Sequence, residues 1–152
     1  MDSKEKDISI SNIRAAAEQI RGQVHLTPIN SSTQLSKDFG VDLHFKCENF
    51  QKTGSFKVRG VLNKLQSLSA EERKNGLVSV SAGNHAQAMA WAAAASGIEC
   101  TVVMPDTASR TKIKATEEYG AAVLLPGDVH SAFAKMLELE SEEGKTVIHP
   151  FE

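Results

Sequence analysis

The chain is 152 residues long, 41% hydrophobic and only 5% aromatic, enough to build one globular core mainly from Val, Ile, Leu and Ala. Its formal net charge of -2 is dispersed with no block of like charge, which excludes a nucleic-acid arm or a basic membrane patch and leaves small-molecule chemistry open. The longest nearly apolar run, 86–95, is too short and alanine-rich to cross a bilayer, and residues 1–6 alternate acidic and basic side chains, so the chain reads as soluble and not exported.

Apolar residues at helical spacing (Ile10, Ile13, Ala17, Ile20) predict an amphipathic helix over 9–22, with Ser11 as its cap and Gly22 as its stop. A Thr27-Pro28 turn follows, then a short helix over 33–39, and alternation over 43–48 predicts a half-buried strand. A helical stretch over 58–68 comes next. Beyond Leu68 the pattern becomes regular: strand 77–81, helix 84–96, strand 100–104, helix 109–119, strand 121–125, helix 129–143, strand 146–148. Gly97 and Gly120 fall at helix ends, where a positive φ is wanted. Short β-branched runs alternating with helices imply βαβ units, a parallel sheet, and ligands gathered where strand C-termini meet helix N-termini. Cys47 and Cys100 each sit in a strand-like apolar setting without metal or redox spacing, and are expected to be buried free thiols in a reducing compartment.

Two segments carry candidate chemistry. In Thr53-Gly54-Ser55-Phe56-Lys57 the lysine precedes a helix, whose positive dipole end favours the uncharged amine that attacks an aldehyde. By position alone a solvated lysine on a first helical turn is the favoured reading. In Ser81-Ala82-Gly83-Asn84-His85-Ala86-Gln87, a strand end runs into a helix start: Ser81 and Asn84 offer side-chain hydrogen bonds, Gly83 permits close backbone approach, and the free amides suit a carboxylate or phosphate. The plainer alternative is a turn in which Asn84 is an N-cap.

Together these segments resemble the fold-type II pyridoxal-phosphate (PLP) enzymes of the threonine and serine dehydratase and serine racemase group, which carry T-G-S-F-K-x-R-G followed by S-A-G-N-H-A-Q. The likeness continues through His25-Leu26-Thr27-Pro28, Lys46-Cys47-Glu48-Asn49, Val103-Met104-Pro105 and His149-Pro150-Phe151. The resemblance implies an α/β fold in which residues 1–68 are the N-terminal part of a large cofactor domain and 69–152 a small domain with a parallel βαβ sheet. It implies PLP as cofactor, with no metal site in this stretch, and Lys57 as the Schiff-base lysine and the base that removes the Cα proton. Phe56 would pack beside the cofactor and Asn84 would bond its phenolic oxygen. Ser81, Ala82, Gly83, Asn84 and His85 would form the loop that receives the substrate carboxylate, with His85 assigned to binding rather than proton transfer. A small amino-acid substrate, a homo-oligomeric full-length form and a cytoplasmic setting complete the expectation.

Racemases of the group resemble S-S-G-N-H at the loop, where the second serine returns a proton to the face opposite the lysine. This chain has Ala82, and a methyl cannot act as acid or base. The expected reaction is therefore elimination from L-threonine or L-serine, giving a 2-oxo acid and ammonia, with a racemase as the alternative. Two departures stand out: Ala88 replaces the group's usual glycine, and no G-G-G run for the cofactor phosphate occurs in the sequence. The chain thus resembles the N-terminal portion of such an enzyme, and a non-catalytic short product is the other expectation. On that reading the first helix and the segments up to Lys57 leave an apolar patch exposed.

Overall fold

The computed structural model describes residues 8–150; the charged run 1–6 and the Phe151 of the last motif lie outside the described residues. Helix α1 (Ile10–Gln19) lies within its predicted span, but its cap is Ser9 and not Ser11: Ser9, in an extended conformation, accepts from the Asn12 amide. Ser11 therefore falls inside the helix. Gly22, at φ +77°, turns the chain beyond the helix end as expected.

Strand β1 (Ile29–Ser31) pairs antiparallel with β2 (His44–Lys46), and α2 (Thr33–Phe39) connects them. The strand predicted over 43–48 is only three residues long and wholly exposed, and Glu48–Phe50 wind into a 3-10 turn. Strand β1 gives no sequence signal, since three residues after a proline show no period. Helix α3 (Lys57–Gln66) begins at the candidate lysine itself, and a short α4 (Ala70–Lys74) follows. The signal for α4 was present in Ser69 and Glu72, which form a reciprocal capping box.

The second half matches its predicted register to within a residue or two at each end. Strands β3 (Leu77–Val80), β4 (Cys100–Val103), β5 (Ala122–Leu124) and β6 (Thr146–Val147) form one parallel sheet in the order β5-β4-β3-β6. Between them run α5 (Asn84–Ala95), α6 (Arg110–Glu118) and α7 (Val129–Glu143). Gly97 and Gly120 take φ of +65° and +98°.

Alternation along the strands sorts the core. Leu77, Cys100 and Val102 join α3 and α5 in one apolar cluster, while Val78, Val80 and Val103 join Ala132, Met136 and Leu139 of α7 in another. The sheet is thus covered on both faces, as parallel sheets require. Helix α5 can lie close to both α3 and the sheet because its inner face is Ala86, Ala88, Met89, Ala90, Ala92 and Ala93. Ala88 is fully buried there, so the methyl that departs from the usual glycine is absorbed by the core. Leu62, Leu65, Leu77 and Met89 are almost fully buried, each worth about 1.5–3 kcal/mol.

The chain steps outward from β3 through β4 to β5, then returns to place β6 on the far side of β3. The carboxyl ends of β3 and β6 therefore lie side by side, at a point where the connections diverge. Such points are where open α/β sheets bind ligands.

Candidate active site

Lys57 is the first residue of α3, half-buried, and its Nζ donates a 2.8 Å hydrogen bond to the Pro150 carbonyl just past β6. Packing of α3 on α5 brings this helix start to the carboxyl edge of the sheet. A cavity of about 130 Å³ opens at the amine, lined by Phe56, Lys57, Lys64, His85, Ile148 and His149 among others. The Phe56 ring is 60% exposed, its centroid 5.7 Å from the Lys57 ammonium. Lys57, Phe56 and His85 are thus brought together around one cavity.

Ser81, Ala82, Gly83 and Asn84 follow β3 at the same edge but do not line that cavity. Ser81 Oγ accepts from the Gly83 amide at 3.2 Å and sets the bend. The N-cap of α5 is Gly83, and no side chain caps this helix. Asn84 lies one position inside the helix, exposed, so it is not the capping residue of the plainer alternative. With no side-chain cap, the first-turn amides have no partner of that kind, which suits an incoming anion.

His85 differs from its neighbours. It is buried at 6% exposure, and its Nε2 lies 3.2 Å from Ser79 Oγ, whose own proton goes to the Ile148 carbonyl at 2.6 Å. Ser79 therefore offers His85 a lone pair, and Nε2 is the donor. Burial chiefly pushes the imidazole down to about 4, and the charges of Lys57 and His149 act the same way against the Ile148 carbonyl. A neutral ring in this place ties β3, the start of α5 and the exit of β6 together. Its side chain works as an internal pin between these three elements.

Sequence reasoning did not find the polar network behind Lys57. Arg59 makes two 2.8 Å bonds to Glu48, from Nε to Oε2 and from Nη2 to Oε1, and Nη2 also reaches the His25 carbonyl at 3.2 Å. Thr27 donates to Glu48 Oε1, and Lys46 Nζ donates to the Thr27 carbonyl at 2.6 Å. Arg59 holds the Glu48 carboxyl down at about 2. The only signal was indirect: these residues stand in the strings quoted for the family likeness, which local periodicity cannot interpret.

Cys100 is buried in β4, and desolvation pushes its thiol up to about 12. Cys47 corrects the expectation for the pair: it is half-buried past the end of β2, with Sγ 3.4 Å from the Phe45 carbonyl. Among the described residues no group of three or more His, Cys, Asp or Glu could hold a metal ion, and no helix is long and apolar enough to cross a membrane.

Residues 20–152 match the protein family described as "Pyridoxal-phosphate dependent enzyme". The chain is 43% identical over 145 residues to an L-threonine ammonia-lyase of Thermotoga maritima, covering 95% of this chain and 36% of that protein. It is 39% identical over 142 residues to a serine racemase of Schizosaccharomyces pombe, covering 93% of this chain and 44% of that one. Among solved structures, maize serine racemase superposes with a TM-score of 0.89 at 37% identity, over 95% of this chain and 44% of that chain. The chain spans less than half the length of each of these relatives. A match over this length, together with a shared α/β architecture, shows that the chain belongs to the pyridoxal-phosphate-dependent enzymes of fold type II.

Proposed function

We propose that Lys57 carries the PLP of an ammonia-lyase that converts L-threonine or L-serine to a 2-oxo acid and ammonia. The observation that supports this best is the placement of Lys57, an amine at a helix start beside a cavity at the carboxyl edge of a parallel sheet. The residues present fit the ring and aldehyde end of the cofactor: Phe56 offers an exposed aromatic face beside the amine, and Asn84 an exposed side-chain amide. The cavity, at about 130 Å³, is smaller than the roughly 300 Å³ at which ligand pockets begin, and the sequence holds no G-G-G run for the phosphate.

When bound, PLP supplies an aldehyde for a covalent link and a ring that draws electrons from the substrate Cα. Lys57 Nζ would hold that aldehyde and, as an uncharged amine, would take the substrate Cα proton. The backbone amides of Ala82, Asn84 and His85 receive the substrate carboxylate, while the Ser81 amide stays on the Val103 carbonyl and Ser81 Oγ, accepting from the Gly83 amide, holds the bend. His85, neutral and buried, keeps the loop and the β6 exit in register without moving a proton. At position 82 the methyl can return no proton, which leaves loss of the β-hydroxyl as the favoured outcome. A racemase is the second reading, favoured by relatives of that name at comparable identity.

The test has two parts. Borohydride reduction in the presence of PLP, followed by peptide mapping, is expected to find the label on Lys57; label on Lys52 or Lys64 in its place would refute the site. At the full length of its relatives, the protein is expected to release 2-oxo acid from threonine or serine. Rapid formation of D-serine would instead establish the racemase.

A further inference from the structure

The start of α3 lacks the devices that usually fix a helix N-terminus. Its N-cap is Phe56, which makes no side-chain capping bond, and its first turn holds no acidic residue. The turn carries Arg59, two residues beyond Lys57 and so roughly 200° around the helix. Its guanidinium meets Glu48 fork to fork, and Glu48 is in turn held by Thr27. The two side chains are only 32% and 16% exposed, so solvent screens the pair weakly. Three segments remote in sequence, 25–27, 46–48 and the first turn of α3, thus meet at one carboxylate.

We propose that Glu48 and Arg59 are positioning residues for Lys57: their bidentate pair sets the rotation of the first turn of α3 and so directs the Lys57 amine into the cavity at the sheet edge, an inference that rests on Lys57 being the cofactor lysine. Anchoring one side of a helical turn fixes where its opposite side points. Lysine at position 59 keeps the charge but cannot reproduce the planar fork, so geometry and charge are separable.

The experiment measures PLP trapped by borohydride on Lys57 relative to Lys112, an exposed lysine on α6, in the 152-residue chain and in Glu48→Gln, Arg59→Lys and the double variant. Circular dichroism and a melting midpoint accompany each sample. Ser69→Ala, which removes the α4 cap, serves as a variant with ordinary stability loss and no contact with α3's first turn. The Lys57 to Lys112 ratio is expected to fall on the order of ten- to a hundred-fold in both single variants. It should fall no further in the double variant, since the two residues act as a unit, and should hold in Ser69→Ala. Glu48→Gln keeps the side-chain shape and Arg59→Lys the charge, so a variant that fails to fold leaves the other to read the ratio. An unchanged ratio in a folded variant, or an equal drop in Ser69→Ala, would overturn the positioning role while leaving Lys57 as the cofactor lysine. No preference for Lys57 in the unaltered chain would overturn both.

Discussion

Lys57, Ala82, Glu48 and His85 each make a separable claim. Replacing Lys57 with alanine is expected to abolish the absorbance of a lysine-bound cofactor in a protein of its relatives' length, since the other lysine on the cavity wall, Lys64, sits in the last turn of α3 rather than its first. Ala82→Ser introduces a hydroxyl at the loop position where the resemblance to racemases implies one. Chiral analysis is expected to show racemisation of serine rising relative to elimination, and an unchanged ratio would remove Ala82 as the residue that selects the reaction. The two shifted groups also separate by pH. For His85 the folded value near 4 lies below the ordinary 6.5, so an unfolded chain takes up a proton that the native one refuses, and stability falls as pH drops from about 6.5 toward 4. For Glu48 the folded value near 2 lies below 4.5, so its contribution is present above 4.5 and is lost as pH falls toward 2. Urea denaturation at a series of pH values should show His85→Gln flattening the upper window and Glu48→Gln the lower. Identical pH slopes in variant and parent would contradict these environments.

Elements were legible where periodicity and caps were long enough to read. Helices α2 and α7 fall on their predicted residues, and the strands of the parallel sheet are a residue or two shorter than predicted, although Ser81, Met104 and Ile148 just past their ends still donate to the neighbouring strand. The N-terminal half was harder. The β1–β2 ladder is set by a partner thirteen or more residues away, and three-residue strands carry no period of their own. One turn offers a direct test. Gly76 leads into β3 at φ +75°, its carbonyl accepts from the Thr146 amide at 2.9 Å, and a Cβ added there would lie 3.3 Å from Glu99 Cβ. Gly76→Ala therefore combines a left-handed backbone with a tight contact at the joint of β3 and β6, and is expected to cost about 1–3 kcal/mol in chemical denaturation. A neutral effect would mean that this joint relaxes freely.

At the scale of the molecule, the apolar surface is unevenly distributed. Ile8, Ile10, Ile13, Leu26, Phe39 and Phe50 are among the large side chains left exposed before Lys57, as expected for α1 and the segments that follow it. The 152 residues alone are expected to bind PLP weakly and to release no measurable 2-oxo acid from threonine. The cavity is small and no glycine-rich loop replaces the water around the phosphate, each lost charge-assisted bond costing about 1.5–3 kcal/mol. Titration with PLP and a 2-oxo acid assay check this, and tight stoichiometric binding with turnover would show that the chain builds a phosphate site by other means. The sequence by itself determined the βαβ order, the lysine at a helix start, the strand-to-helix loop and the methyl at position 82, because these are properties of neighbouring residues. Only the tertiary structure decided that His85 turns inward to Ser79, that Asn84 caps nothing, and that Glu48 reaches Arg59. Each of those depends on which distant segment stands opposite a side chain, and hydrophobic periodicity, which records only a buried face, does not encode the partner found there.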